Sequence, residues 1–102
     1  MQEYSITATA NGPTDWVRLD TKGQTIHLYH IAVIIPQESG ATADVEFTIE
    51  TDLSNATPIC HHILNGVSTT AASVVHAPMA GIRLNIADYV SGKDITLKVL
   101  QS

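Results

Sequence analysis

The chain has 102 residues, 44% hydrophobic and 5% aromatic, which is enough for one domain (1–102) with an aliphatic core and too apolar for a disordered chain. Its net charge of −5, with the basic residues scattered as Arg18, Lys22, Arg83, Lys93 and Lys98, opposes non-specific nucleic-acid binding and disfavours an anionic membrane. A single cysteine, Cys60, excludes an internal disulfide framework.

No apolar leader follows Met1-Gln-Glu-Tyr4 and no stretch reaches membrane-spanning length, so the expectation is a protein made in a cytoplasm and soluble unless assembled. Charged residues make up 15%, against about 25% in an average domain. A surface partly covered by a partner, or one rich in Ser, Thr and Asn, explains that deficit. Asn55-Ala-Thr57 matches the glycosylation pattern and is read as a chance match, since secretion is not expected.

In chain order, Glu3 to Thr9 predicts a first strand with Tyr4, Ile6 and Ala8 on one face, ended by Asn11-Gly-Pro13. Asp15 to Asp20 predicts a short strand with Val17 and Leu19 together and Trp16 opposite, followed by a turn at Thr21 to Gln24. Thr25 to Ile35 is the most apolar segment and carries aliphatics on both parities. A central strand covered on both sides, a bulge, or one face packed on another subunit each explain that pattern, and a long central strand is the preferred reading. Gln37 to Thr42 is a polar loop. Ala43 to Asp52 predicts a half-buried strand with Val45, Phe47 and Ile49 inward and Asp44, Glu46, Thr48 and Glu50 outward.

Ile59 to Leu64 predicts a short strand with a hairpin turn at Asn65-Gly66, and Val67 to His76 is the least patterned stretch. The clearest unit is C-terminal: Ile82, Leu84 and Ile86, then Ile95, Leu97 and Val99, alternate with more polar residues around Asp88 to Asp94. That spacing predicts a β-hairpin with one buried face. Turn signals every 8–12 residues and the lack of a 3.6-residue period give an all-β chain. The predicted fold is a single-domain antiparallel β-sandwich of about 7–8 strands, jelly-roll or immunoglobulin-like.

Chemistry-bearing motifs are sparse. Cys60-His61-His62 suggests a metal, but strand alternation lets Cys60 and His62 converge while turning His61 away, and no second ligand pair completes a zinc set. The carboxylates of Asp44, Glu46, Glu50 and Asp52 read as a solvated strand face rather than a calcium loop. No nucleophile elbow, phosphate loop or H-E-x-x-H motif occurs, so neither enzyme activity, cofactor nor metal is expected. Trp16, beside a Gly-Pro turn, is read as a packing residue or a subunit contact.

Two stretches carry a resemblance. Asp44-Val-Glu-Phe-Thr-Ile-Glu-Thr-Asp-Leu53 resembles the V-x-[YF]-T-[VI]-E-x-T-x-D strand of small structural proteins encoded by tailed bacteriophages and prophages. Gly81-Ile-Arg-Leu-Asn-Ile-Ala-Asp-Tyr-Val-Ser-Gly92, followed by Ile95 to Gln101, resembles the A-I-R-L-N-V-T-x-Y-x-S-G-x-[VI]-T-L-x-V-L-Q ending of that group. Trp16 to Asp20 ahead of a long apolar strand is similar to its N-terminal order, whereas Cys60 to His62 and residues 67–77 depart from the pattern.

The resemblance implies a virion β-sandwich, most simply a capsid decoration (cement) protein on the outer head surface. Its partner would be the major capsid protein and its oligomer a trimer, with no nucleic acid or membrane bound. Contacts are expected from Met1, Gln2, Glu3 and Tyr4, from Trp16, and from Gln37, Glu38, Ser39 and Thr42. A neck, tail or head-fibre component is the first alternative. A carbohydrate-binding module using Trp16 with Tyr29 or Tyr89 is the next.

Overall fold

The computed structural model describes residues 2–20, 27–50, 53–54 and 60–101. Its strands are β1 (Gln2–Ala8), β2 (Gly12–Pro13), β3 (Val17–Arg18), β4 (His27–Ile34), β5 (Thr42–Thr48), β6 (His61–Val67), β7 (Ala71–Ala77), β8 (Gly81–Ala87) and β9 (Ile95–Gln101). They form two sheets, β1-β9-β4-β7 and β2-β8-β5-β6, with β3 also on β8. Every ladder is antiparallel.

The chain is a β-sandwich, and its pairing is nested. The first strand pairs the last, β2 and β3 pair β8, β4 pairs β7, and β5 pairs β6. That is one long hairpin rolled up on itself, the jelly-roll arrangement rather than the immunoglobulin one. The two short segments β2 and β3 together occupy one strand position along β8.

Alternation decides which residues meet between the sheets. Tyr29, Ile31, Val33 and Ile35 from the β4 segment, Ile95, Leu97 and Val99 from β9, Ala43 and Val45 from β5, and Ile82, Leu84 and Ile86 from β8 are all buried. They form one aliphatic core. Tyr4, Ile6 and Ala8 close it from β1 as expected.

Several expected details change. The C-terminal pair is not a hairpin: β8 lies in one sheet and β9 in the other, so the Asp88 to Asp94 turn crosses the sandwich. Its unusual backbone angles are real, with φ of +59° at Asp88 and +83° at Gly92. Asn65-Gly66 lies within β6 rather than in a turn. Gly66 has φ +66°, and the β5–β6 register slips twice, between Ala43 and Val45 and between Val45 and Glu46. A left-handed residue serves a bulge as well as a turn, and here the slips keep both Leu64 and Val67 packed on the core.

Gly12 and Pro13, expected to end the first strand, instead pair with Ile86 and Asn85. A proline is tolerated there because β2 lies at a sheet edge. The β4 segment is central in its sheet and free of register slips, and its outward parity remains open. The predicted turn at Thr21 to Gln24 lies outside the described residues.

Candidate functional site

The two outer faces of the sandwich differ. On the sheet containing β8 and β5, the outward residues Glu46 and Thr48 are buried, against the expectation that both would be solvated. What covers Glu46 comes from distant segments, while Thr48 Oγ1 accepts locally from the Glu50 N–H at 3.1 Å. Ile49, expected to face inward, is 56% exposed just past the end of β5. Arg83 stands opposite Glu46 in the β5–β8 ladder, and its Nε donates to Glu46 Oε1 at 2.7 Å. Asn85 Nδ2 donates to Glu46 Oε2 at 3.3 Å. The Arg83 guanidinium lies 4.2 Å from the centre of the Trp16 ring, a cation–π contact.

Nearby, Leu53 reaches over Gly81, where an added Cβ would come within 2.9 Å of its Cδ2 and 3.5 Å of Trp16 Cε3. Glycine at 81 is therefore what allows Leu53 and Trp16 to lie flat on the sheet.

His62 joins this network, with Nε2 3.3 Å from Glu46 Oε2 and 3.8 Å from Asp44 Oδ2. Asp44, Glu46 and His62 bring one ligand atom each within 4.8 Å of one another, a convergence that the local sequence pattern does not reveal because β5 and β6 are joined by a long connection. Cys60 lies on the same outer face, its Sγ 3.7 Å from Arg83 Nη2, whereas His61 packs its ring on Phe47 at 5.3 Å. The expected split of Cys60 and His62 from His61 is therefore present.

Burial works against the Glu46 carboxylate. The donors Arg83 and Asn85, with the charges of Arg83 and His62, outweigh that penalty and hold its pKa below the usual value. Both carboxylate oxygens are engaged by protein donors, so the cluster acts chemically as an ion-pair network that pins β5, β6 and β8.

The other outer face is bare. β1, β9, β4 and β7 present Glu3, Leu100, His30 and Val74 in one cross-strand row and Ser5, Lys98, Ala32 and Ala72 in the next. Ile34 follows beside Thr96. Val74 is 59% exposed, Ile34 43% and Leu100 36%, and the surface dips into a shallow groove of about 650 Å³ lined by these rows. Leu100 and Val74 flank His30 in one row, Ala32 and Ala72 lie beside Lys98 in the next, and Ile34 lies two rows from Leu100 and Val74. This face therefore mixes exposed aliphatic side chains with Glu3, His30 and Lys98, a composition that suits a contact surface.

The residues expected to make contacts do not form one patch. Gln2 and Glu3 are exposed on β1. Tyr4 points inward, its hydroxyl donating to Gln101 Oε1 at 3.0 Å and accepting from the Asp20 N–H at 3.0 Å. Gln37 and Glu38 are exposed at the opposite end of the sheet, about 20 Å away along the strands. Ser39 is buried and accepts from the Ala41 N–H at 3.2 Å. Thr42 is half-buried in the ladder with Ala87. Trp16 is half-buried with one ring face occupied by Arg83, and Met1 lies outside the described residues.

Comparison with known proteins gives no relative: no family model, curated protein or solved structure matches the chain. Of the rings named for a sugar-stacking surface, Tyr29 is fully buried, Trp16 has one face occupied by Arg83, and Tyr89 is partly buried against the core with its hydroxyl donating to Asp94 Oδ1 at 2.6 Å.

One polar residue that the strand pattern hides is Gln101. It is 1% exposed, its Oε1 accepts from Tyr4 and from the Asp20 N–H, and its Nε2 donates to the Asp20 carbonyl and to the Tyr29 hydroxyl. The Gln101 amide thus uses both donors and both lone pairs. No helix of the described residues is long and apolar enough to cross a membrane.

Proposed function

We propose that the protein is a structural component of a tailed-bacteriophage virion, a decoration protein that binds the outer surface of the head and braces joints between its subunits. The observation that carries the reading is the asymmetry of the sandwich. One outer face is closed by Trp16, Leu53 and the Arg83–Glu46 pair, while the other exposes Val74 and Leu100 on either side of His30, with Ile34 further along the same face. The strand motifs of residues 44–53 and 81–101, which resemble those of small phage structural proteins, support the same reading. A binder of folded shell stabilises it by mass action, by about 2.7 kcal/mol per site at a free concentration of 100 times Kd. The partner would be the major capsid protein.

The test is co-sedimentation of purified protein with expanded, undecorated heads, followed by imaging. Saturable binding at regular shell positions, lost in Leu100→Asp with the fold retained, is the expected result. Binding confined to one vertex or to the tail would move the protein to the neck or tail. Absence from every particle would end the virion reading.

A further inference from the structure

A β-sandwich has four sheet edges, and each edge offers unpaired backbone N–H and C=O groups to any passing strand. Three of the edges here carry features that discourage pairing. The β2/β3 edge is broken into two short segments and contains Pro13. β6 is bulged twice against β5 and holds Gly66 at φ +66°. β1 places the charged Glu3 near its start.

β7 carries none of these devices. Its sequence Ala-Ala-Ser-Val-Val-His-Ala has no Asp, Glu, Lys, Arg or proline, and it pairs β4 without a register slip from Ala71 to Ala77. Its other edge has no strand beside it among the described residues, and the most exposed large aliphatic side chain there, Val74 at 59%, sits at its midpoint.

We infer that β7 is the self-association edge of this protein: it pairs antiparallel with β7 of a second copy, about a two-fold axis at Val74. A strand pairs with its own copy without charge conflict only if nothing like-charged meets across the axis. A register centred on Val74 sets Val74 against Val74 of the partner, Ser73 against Val75 and Ala72 against His76, and so satisfies that condition over all seven residues.

The geometry has a second consequence. Antiparallel pairing of identical edges places the two-fold axis normal to the sheet, so both bare faces point the same way. The Leu100–His30–Val74 row of one copy continues into the same row of the other. The pair therefore presents one face of doubled width, with the two Val74 side chains meeting at its centre and Leu100 beyond His30 on each side.

A seven-residue edge is about 23 Å long, and with the sandwich flank it buries on the order of 500 Å² per copy, below the ~800 Å² per partner of a standard stable interface. The expected dimer is accordingly weak, with Kd in the micromolar range or above. The inference does not depend on the virion reading. It also differs from the threefold assembly that the phage resemblance implies, and stoichiometry separates the two.

The experiment is sedimentation velocity of the intact protein from low micromolar to about 1 mM. It is joined by oxidation of Val74→Cys in a Cys60→Ser background, where residues facing each other across an antiparallel pair lie within disulfide reach. Expected are a concentration-dependent dimer, near-complete intermolecular cross-linking of Val74→Cys, and at least tenfold weaker association for Val74→Lys. Because Val74 is exposed, circular dichroism of both variants should match the parent. A monomer throughout the range, a trimer, or a dimer that neither cross-links at Val74→Cys nor weakens in Val74→Lys overturns the assignment.

Discussion

Replacing Arg83 by methionine tests whether the covered face is held by its ion pair. The Glu46 side chain is 7% exposed and that of Arg83 is 19% exposed, so the substitution leaves a nearly buried carboxylate with Asn85 and the half-exposed His62 as its remaining partners. Breaking a buried pair by removing one member costs about 3–5 kcal/mol. The remaining partners and the residual exposure of Arg83 place this case near the lower end, about 3 kcal/mol. Loss of the guanidinium from the Trp16 ring adds about 0.5–1 kcal/mol. For a domain of this size, each kcal/mol shifts Tm by about 4–8 °C, so Arg83→Met should melt at least ~12 °C lower at neutral pH.

The pH dependence gives a sharper criterion. In the parent protein the folded Glu46 pKa lies below its unfolded value. Its contribution is therefore fully present above about pH 4.5 and is lost as pH falls through the folded pKa. Without Arg83, burial becomes the dominant influence and raises that pKa. The folded variant then takes up its proton before the unfolded chain does, and it gains relative stability on acidification. The gap between parent and variant should narrow steadily from pH 7 to pH 4, followed by urea denaturation monitored through Trp16 fluorescence. Glu46→Gln combined with Arg83→Met should recover most of the loss at pH 7. A gap below about 1 kcal/mol at neutral pH, or one that stays constant into acid, would refute the argument.

Two further outcomes follow from other parts of the fold. Gln101→Leu leaves the Asp20 carbonyl without its Nε2 donor beside the buried Tyr29 hydroxyl, and should cost about 1–3 kcal/mol in equilibrium unfolding; a neutral result would mean that the amide network is dispensable. Gly66→Ala meets no atom within 4 Å of the added Cβ but must adopt φ +66°, so it should destabilise by about 1–2 kcal/mol through backbone strain alone, while Gly66→Asn should cost less, as thermal melts of the pair would show.

Strand positions were readable from the sequence because period-2 alternation reports a buried face directly. The runs Tyr4-Ile6-Ala8, Ile82-Leu84-Ile86 and Ile95-Leu97-Val99 are all in the core. Sheet membership was not readable. An inward-facing alternation is satisfied equally by a strand in either layer, so the β8–β9 unit looks like a hairpin and is a crossing. Asn65-Gly66 failed for a related reason, since the dipeptide marks a left-handed residue and not the structure that uses it. Burial of Glu46 was hidden because its cover, Arg83 with Trp16, comes from residues 37 and 30 positions away. The double parity of residues 25–35 did carry information: one parity of β4 faces the core and the other forms the bare outer face.

The contrast between the two outer faces bears on function through what each would cost to change. The covered face depends on contacts within the chain, since Trp16, Leu53, Arg83 and Glu46 pack against one another, and substitutions there report on stability. Val74, Ile34 and Leu100 pack against nothing comparable, so polar replacements there should leave folding within about ±0.5 kcal/mol while altering association. Under the two inferences drawn above, the same face serves both contacts: the β7 edge joins two copies, and the joined faces meet a shell. A weak dimer then suffices, because a second face tethered beside the first binds at an effective concentration that reaches the millimolar range for short spacings. Val74→Lys and Leu100→Asp separate the roles. The first should weaken both self-association and shell binding, because Val74 lies on the pairing edge and on the outer face. The second should weaken shell binding and leave self-association unchanged, because Leu100 lies on β9, away from that edge.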